Sequence, residues 1–162
     1  MNKHIFRLLS VLLFIGLLGM QKVAAQEVDE EPLSAPKLTP AVVKKLGYSG
    51  VGFKQKNDAT WTLKNGVTVY SSYPYGQEIS GFMGPTPVFI AVDKQQKITA
   101  VTPSLNRETP EYFLLTKPLF KAWKGKTLQE AKTLVPDAVT GATLSSNAIV
   151  QTVQATAKAL SK

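Results

Sequence analysis

The segment best suited to chemistry is a group of hydroxyl side chains around one glycine, at residues 137–146. Its candidate site residues are Asp137, Thr140, Gly141, Ala142, Thr143, Leu144, Ser145 and Ser146. The segment lies between an extended run and an amphipathic pattern, so the last helix is expected to begin there. A helix N-terminus holds a phosphate through unpaired backbone N–H groups and partial positive charge, without needing a lysine. By residue type alone, the segment is therefore either an anion site or a helix start capped by Thr and Ser.

The scarcity of Cys and His limits the kinds of catalytic and metal site that the sequence could form. The 162 residues include no Cys and a single His, His4, which lies in an N-terminal segment that we expect to be removed from the mature protein. Catalytic triads, Cys nucleophiles, haem, iron–sulfur clusters and metal sites built on thiolate or imidazole each require one of these side chains. We therefore expect no catalytic residue of these kinds and no metal site. Any redox chemistry is expected to come from an organic cofactor.

The N-terminus has the layout of a cleavable secretory signal, at residues 1–25. Basic residues precede an apolar run at residues 8–20, and Val23 and Ala25 occupy the positions that signal peptidase reads. The apolar run is shorter than the roughly 20 residues that a membrane-spanning helix needs. We expect cleavage after Ala25, a periplasmic or secreted protein, and a flexible acidic leader at residues 26–38.

The remainder of the chain predicts a single α+β domain at residues 39–162. Strand patterns occur in two pairs, and Asn65-Gly66 joins the first pair with a strong hairpin signal. The predicted strands are residues 60–63, 67–70, 87–92 and 97–102. The hairpins imply a curved antiparallel sheet, which we expect helices to flank. The predicted helices are residues 40–46, 110–115, a region around 119–123, 127–134 with a capping box, and 144–160.

The hydroxyl segment resembles the flavinylation motif of the FMN-binding domain family, found in the C and G subunits of the sodium-pumping NADH:quinone reductase and of the Rnf complexes. That motif is Asp, a short spacer, Ser or Thr, Gly, Ala, Thr, one variable residue, and Ser or Thr. The matching residues are Asp137, Thr140, Gly141, Ala142, Thr143, Ser145 and Ser146. Two further elements are similar to the family, Gly81-Phe82-Met83-Gly84-Pro85 and Glu108-Thr109-Pro110. Residues 111–113 depart from it, because the family has Gly-Leu-Gly where this chain has Glu, Tyr and Phe.

The resemblance implies that an FAD-dependent flavin transferase joins FMN through its phosphate to the hydroxyl of Thr143. It also implies that Glu108, Thr109 and Gly84 lie near the flavin ring. Asp137 either orients the turn and assists the transferase or only accepts backbone hydrogen bonds in the turn. Four aromatic residues are candidates for stacking on the ring, although each type is more often part of a core: Tyr75, Phe82, Tyr112 and Trp123.

These implications favour an extracytoplasmic electron-transfer protein that carries covalent FMN. Its expected partners are extracytoplasmic or membrane redox proteins and not nucleic acid, and a monomer is expected. Two alternatives stay open: a flavin-dependent reductase of a small substrate, and a flavin-free secreted binding or inhibitory module. A basic run either steers docking on an acidic partner or an anionic membrane, or is a solvated helix face. The run consists of Lys117, Lys121, Lys124 and Lys126.

Overall fold

A meander of five antiparallel strands forms the sheet on which the rest of the chain packs. The computed structural model describes residues 34–161, and the strand order in the sheet follows the order in the chain. The strands are β1 Phe53–Asn57, β2 Thr60–Leu63, β3 Thr68–Ser71, β4 Val88–Val92 and β5 Ile98–Pro103. Helices flank this sheet, which confirms the predicted α+β class. The predicted signal peptide and residues 26–33 of the predicted leader lie outside the described residues.

The helices begin and end at residues whose chemistry suits helix termini. They are α1 Pro40–Lys45, α2 Tyr73–Gly76, α3 Pro110–Phe113, a 3-10 helix Leu114–Lys121, α4 Leu128–Ala131 and α5 Thr143–Leu160. Thr39 caps α1 by accepting a hydrogen bond from Val42 N, and Thr127 and Glu130 form the capping box of α4. Among the helices of residues 34–161, none is both long and apolar enough to cross a membrane.

β4 is buried on both faces and separates two apolar layers. Val88, Ile90 and Val92 belong to the layer that contains α5 and Trp123. The intervening residues Phe89 and Ala91 belong to the layer on the other face, which includes side chains of α1 and β2. Side chains alternate between the two faces of a strand, so a strand covered on both faces needs an unbroken apolar run. The sequence of β4 has that composition.

Four elements differ from the sequence predictions. β1 was not predicted, because most of its residues are exposed and polar, and the strand owes its conformation to pairing with β2. The short helix α2 was not predicted either. Helix α4 was predicted to reach residue 134, but it ends at Ala131 and continues as a turn. The region predicted around residues 119–123 belongs mainly to the 3-10 helix, which ends at Lys121.

Candidate functional site

Three chain segments meet at the end of the sheet where β4 begins and β5 ends. Val88 pairs with Pro103 in the antiparallel register, so residues before β4 and residues after β5 share this end. Helix α5 packs on the same sheet through its apolar stripe, which includes Ile149. Its first turn reaches this end of the sheet, where Ser145 contacts Glu108.

A cavity of about 450 Å³ lies between these three segments. It is lined by Phe82, Glu108, Thr109, Tyr112, Gly141, Ala142, Thr143, Leu144 and Ser145. Aromatic and aliphatic side chains share this lining with four hydroxyl groups, one of them the phenol of Tyr112, and with one carboxylate. Small-molecule sites have volumes of roughly 300–1,000 Å³ and combine apolar walls with a few polar groups. The cavity therefore has the size and character of a site for a small, partly apolar ligand.

Glu108 is the buried polar centre of the site, with a residue exposure of 6%. Its Oε1 accepts a hydrogen bond from Met83 N at 2.7 Å, and its Oε2 accepts one from Phe82 N at 3.2 Å. Ser145 Oγ donates a third hydrogen bond to Oε2. Because all three neighbours donate, both oxygens of the carboxylate act as acceptors. The side chain thereby ties the segment before β4 to the start of α5.

The segment before β4 makes a tight turn at residues 81–84, which we call the Phe82 turn. Gly81 N donates to Gly84 O at 2.8 Å, and Gly84 adopts a φ of +137°. A Cβ on Gly81 would lie 2.8 Å from Glu108 Oε1, so the absence of a side chain lets the turn approach the carboxylate. Sequence reasoning missed Gly81 as a site residue. Its one signal was its position in the Gly81-Phe82-Met83-Gly84-Pro85 element.

The first turn of α5 presents backbone donors at the cavity. Ser146 N donates to Ala142 O at 2.9 Å, which is the first hydrogen bond along the helix. The N–H groups of Thr143, Leu144 and Ser145 precede it and have no acceptor within the helix. Among the described residues, no side chain caps this end of α5. The interpretation of Thr and Ser as caps of this helix therefore does not hold in the described part of the chain.

The turn leading into α5 is held by a serine and shaped by a glycine. Ser146 Oγ accepts from Val139 N at 3.2 Å, and Ala142 N donates to Val139 O at 3.0 Å. Gly141 has a φ of +83°, a left-handed conformation that side chains disfavour. Leu115 Cδ1 would lie 3.2 Å from a Cβ at Gly141. A side chain at Gly141 would therefore be strained and would crowd Leu115.

Most of the predicted site residues meet at the cavity. Those that line it are Glu108, Thr109, Gly141, Ala142, Thr143, Leu144 and Ser145. Four others lie outside the lining: Gly84 shapes the Phe82 turn, Ser146 holds the turn before α5, and Asp137 and Thr140 are exposed in that turn.

The four aromatic candidates separate into two groups. Phe82 and Tyr112 line the cavity, with exposures of 65% and 59%. Trp123 is fully buried in the α5 layer, because Gly125 N and Lys126 O pair with Ile98 and hold this loop against β5. Tyr75 lies outside the lining, beside the partly buried Tyr70. Burial raises the pKa of Tyr70 above its ordinary value, and Tyr75 adds to the shift.

Residues 81–158 match the family model described as the FMN-binding domain. This part of the chain belongs to the FMN-binding domain family. The matched range contains all three segments of the cavity, from the Phe82 turn to α5. No curated protein and no solved structure matches the chain.

The residues at the cavity fit the two chemically distinct parts of FMN. The isoalloxazine ring is flat and largely apolar, which suits the walls formed by Phe82, Tyr112 and Leu144. The phosphate suits the first turn of α5, where free N–H groups and the helix dipole favour an anion. When bound, FMN supplies reversible electron transfer through its ring. The chain contributes the cavity, the hydrogen-bond donors and the buried carboxylate.

Proposed function

We propose that this protein is an extracytoplasmic electron carrier whose FMN is joined to Thr143 by a phosphoester bond. The assignment of Thr143 as the attachment site rests on where the structure places the four hydroxyl side chains of the motif. Thr143 is exposed and lines the cavity, whereas Thr140 is exposed but lies outside the lining. Ser145 and Ser146 are buried and form hydrogen bonds with other segments. Thr143 therefore combines accessibility with contact to the cavity.

The attachment is a transfer of the FMN unit from FAD to a hydroxyl group. Thr143 Oγ1 attacks the flavin-side phosphorus of the FAD pyrophosphate, the bond from that phosphorus to the bridging oxygen breaks, and AMP leaves. The hydroxyl proton passes to a base of the flavin transferase. The resulting phosphodiester keeps one negative charge, and the free N–H groups of the first turn of α5 stabilise it. Thr143 is the first residue of that helix.

The residues around the cavity support electron relay over conversion of a small substrate. Glu108 is the carboxylate of the lining, and hydrogen bonds from three donors engage its two oxygens. An acid–base catalyst needs to exchange a proton with its substrate, which this bonding opposes. The sequence beyond residue 25 contains neither His nor Cys. We therefore favour a carrier that exchanges electrons with other redox proteins.

The extracytoplasmic location rests on the predicted signal at residues 1–25. Covalent attachment suits that location, because a diffusible cofactor released outside the cytoplasm is lost by dilution. A covalently attached cofactor cannot dissociate from the protein.

Co-expression with an FAD-dependent flavin transferase tests the proposal through fluorescence that survives denaturing electrophoresis. We expect the wild-type band to fluoresce and Thr143→Ala to abolish the signal. Thr140→Ala is the matched control, since it removes the same groups from an exposed residue three positions earlier and is expected to leave the signal intact. Persistence of the fluorescent band in Thr143→Ala would contradict the attachment site.

A further inference from the structure

Exposed apolar side chains are concentrated around the mouth of the cavity. Nine large apolar side chains are exposed among residues 34–161, and six of them belong to this region. These six, which we call the apolar rim, are Phe82, Met83, Tyr112, Leu114, Leu115 and Leu144. The other three are Tyr75, Leu105 and Val135, and none of them lines the cavity.

The apolar rim extends beyond the lining of the cavity. Phe82, Tyr112 and Leu144 line the cavity, so a bound flavin covers part of their surface. Met83, Leu114 and Leu115 are not among the lining residues, although their exposures are 47%, 68% and 43%. They extend the exposed apolar surface beyond the lining of the cavity.

The outer residues of the rim lie close to residues of the lining. Met83 N donates to the Glu108 carboxylate, and Leu115 packs against Gly141. Leu114 precedes Leu115 and is the first residue of the 3-10 helix. Each outer residue is therefore close, in the chain or in space, to a residue that lines the cavity or to the Glu108 carboxylate. Clusters of large exposed apolar side chains on a folded domain mark surfaces that contact another molecule.

We propose that the apolar rim is the docking surface for the flavin transferase that loads Thr143. This inference rests on the proposed function. Formation of the phosphoester requires the phosphorus of FAD to reach contact distance of Thr143 Oγ1, about 3–3.5 Å in a reactive complex. The transferase must therefore cover the first turn of α5, where Leu144 is exposed beside Thr143. Electron exchange between redox centres tolerates a larger separation and places no such demand on these residues.

The partner surface that fits the apolar rim is itself apolar and surrounds the site that presents FAD. Burial of Met83 and Leu114 by the transferase would contribute to recognition, and the cavity would receive the flavin as it is transferred. Truncation of a central apolar contact in an interface commonly weakens binding by about tenfold or more. We therefore expect rim substitutions to change the affinity of the transferase and to leave the chemical step intact.

The test is a steady-state assay of flavin incorporation with purified transferase, FAD and increasing concentrations of the cofactor-free protein. We expect Met83→Ser and Leu114→Ser each to raise KM about tenfold and to leave kcat within about twofold of wild type. Leu105→Ser is the matched control, because Leu105 is 76% exposed and lies outside the rim. It is expected to keep the wild-type KM. Thermal unfolding of each cofactor-free variant verifies that the fold is intact.

The outcomes separate this inference from the proposed function. Wild-type KM in both rim variants, with Thr143 still loaded, would overturn the docking surface and leave the attachment intact. Normal loading combined with slower electron exchange with a redox protein would assign the rim to that partner and would also overturn the inference. A wild-type protein that takes up no covalent flavin would overturn the proposed function and this inference together.

Discussion

Glu108 is a buried carboxylate whose three hydrogen bonds come from two other segments of the chain. Phe82 N and Met83 N belong to the Phe82 turn, and Ser145 belongs to α5. Hydrogen bonds to charged groups contribute more to stability than neutral ones, about 1.5–3 kcal/mol each. One side chain thus holds two walls of the cavity at a fixed separation. We regard Glu108 as a positioning residue for the site.

Glu108→Gln is expected to loosen the Phe82 turn. In Gln, an NH2 group replaces one of the two carboxylate oxygens and would face an N–H or O–H donor. At least one of the three hydrogen bonds is therefore lost. We expect a loss of about 1–3 kcal/mol in the free energy of unfolding and faster amide hydrogen exchange at Phe82 and Met83. Urea unfolding and exchange measured by NMR check this, with the exposed Glu111→Gln as control. Unchanged exchange at both amides would contradict the positioning role.

The sequence predicts the α5 part of the site better than the part around Glu108. Residues 140–146 are consecutive, so their arrangement at a helix start follows from local pattern alone. Glu108 lies 37 residues from Ser145, and no local pattern indicates their contact. The resemblance to the family implied that Glu108 lies near the flavin ring, whereas its hydrogen bond with Ser145 is a contact that only the folded chain shows. Its contact with Gly81 required the folded chain.

Among the elements, those with strong local signals were predicted and those that depend on tertiary pairing were not. The Asn65-Gly66 turn and the capping box at Thr127 define their elements through backbone geometry. β1 has no such signal, because its polar residues form a strand only against β2. Trp123 was a candidate for flavin stacking, yet its loop pairs with β5 and buries it. Apolar residue type indicates burial without indicating the partner.

The capping box of α4 is expected to make stability dependent on pH in the acidic range. Hydrogen bonds from the backbone and then the side chain of Thr127 lower the pKa of Glu130 below its ordinary value of 4.5, and Lys126 and Lys97 add to the shift. A lowered pKa in the folded state means that ionised Glu130 stabilises the fold. This contribution is complete above the ordinary pKa and disappears as the pH falls through the lowered one.

Urea unfolding of wild type and Glu130→Gln from pH 7 to pH 3 measures this contribution. We expect wild type to be the more stable protein at pH 7 and the difference to shrink as the pH falls below about 4.5. Glu111→Gln supplies a comparison at an exposed carboxylate outside the capping box. A difference between wild type and Glu130→Gln that stays constant or grows toward pH 3 would contradict the assignment.

At the scale of the whole molecule, residues that precede the family match form part of the apolar core against which β4 packs. The match covers residues 81–158, but Phe89 and Ala91 of β4 pack in the layer formed with α1 and β2. Phe89 meets Trp61 edge to face, with 5.9 Å between the ring centroids. Even Leu38, in the predicted leader, is buried in this layer. The site therefore depends on a layer that contributes no residue to the lining of the cavity.

A fragment consisting of residues 81–162 is expected to lack a cooperative fold. Its β4 would lose the pairing with β3 and expose an apolar face that is buried in the full domain. Amide dispersion in the NMR spectrum and the urea unfolding transition measure this directly. A fragment beginning at residue 34 is the control and is expected to give a dispersed spectrum. Cooperative unfolding of the shorter fragment would contradict the role of the second layer.

The predicted signal peptide has its own test at the scale of the whole chain. We expect the protein recovered from outside the cytoplasm to begin at Gln26, because Val23 and Ala25 fit the requirements of signal peptidase. N-terminal sequencing or intact mass of the secreted or periplasmic protein measures the cleavage position. Retention of residues 1–25 in a membrane fraction would contradict cleavage of the signal after Ala25.

The central claim is that Thr143 bears FMN through a phosphoester, and peptide mass spectrometry after co-expression with the transferase tests it most directly. Trypsin releases residues 133–158 as one peptide, which contains every hydroxyl of the motif. We predict that this peptide gains the mass of FMN less one water and that fragmentation places the addition on Thr143. An addition on Thr140, Ser145 or Ser146, or flavin that separates from the denatured protein, would contradict the claim.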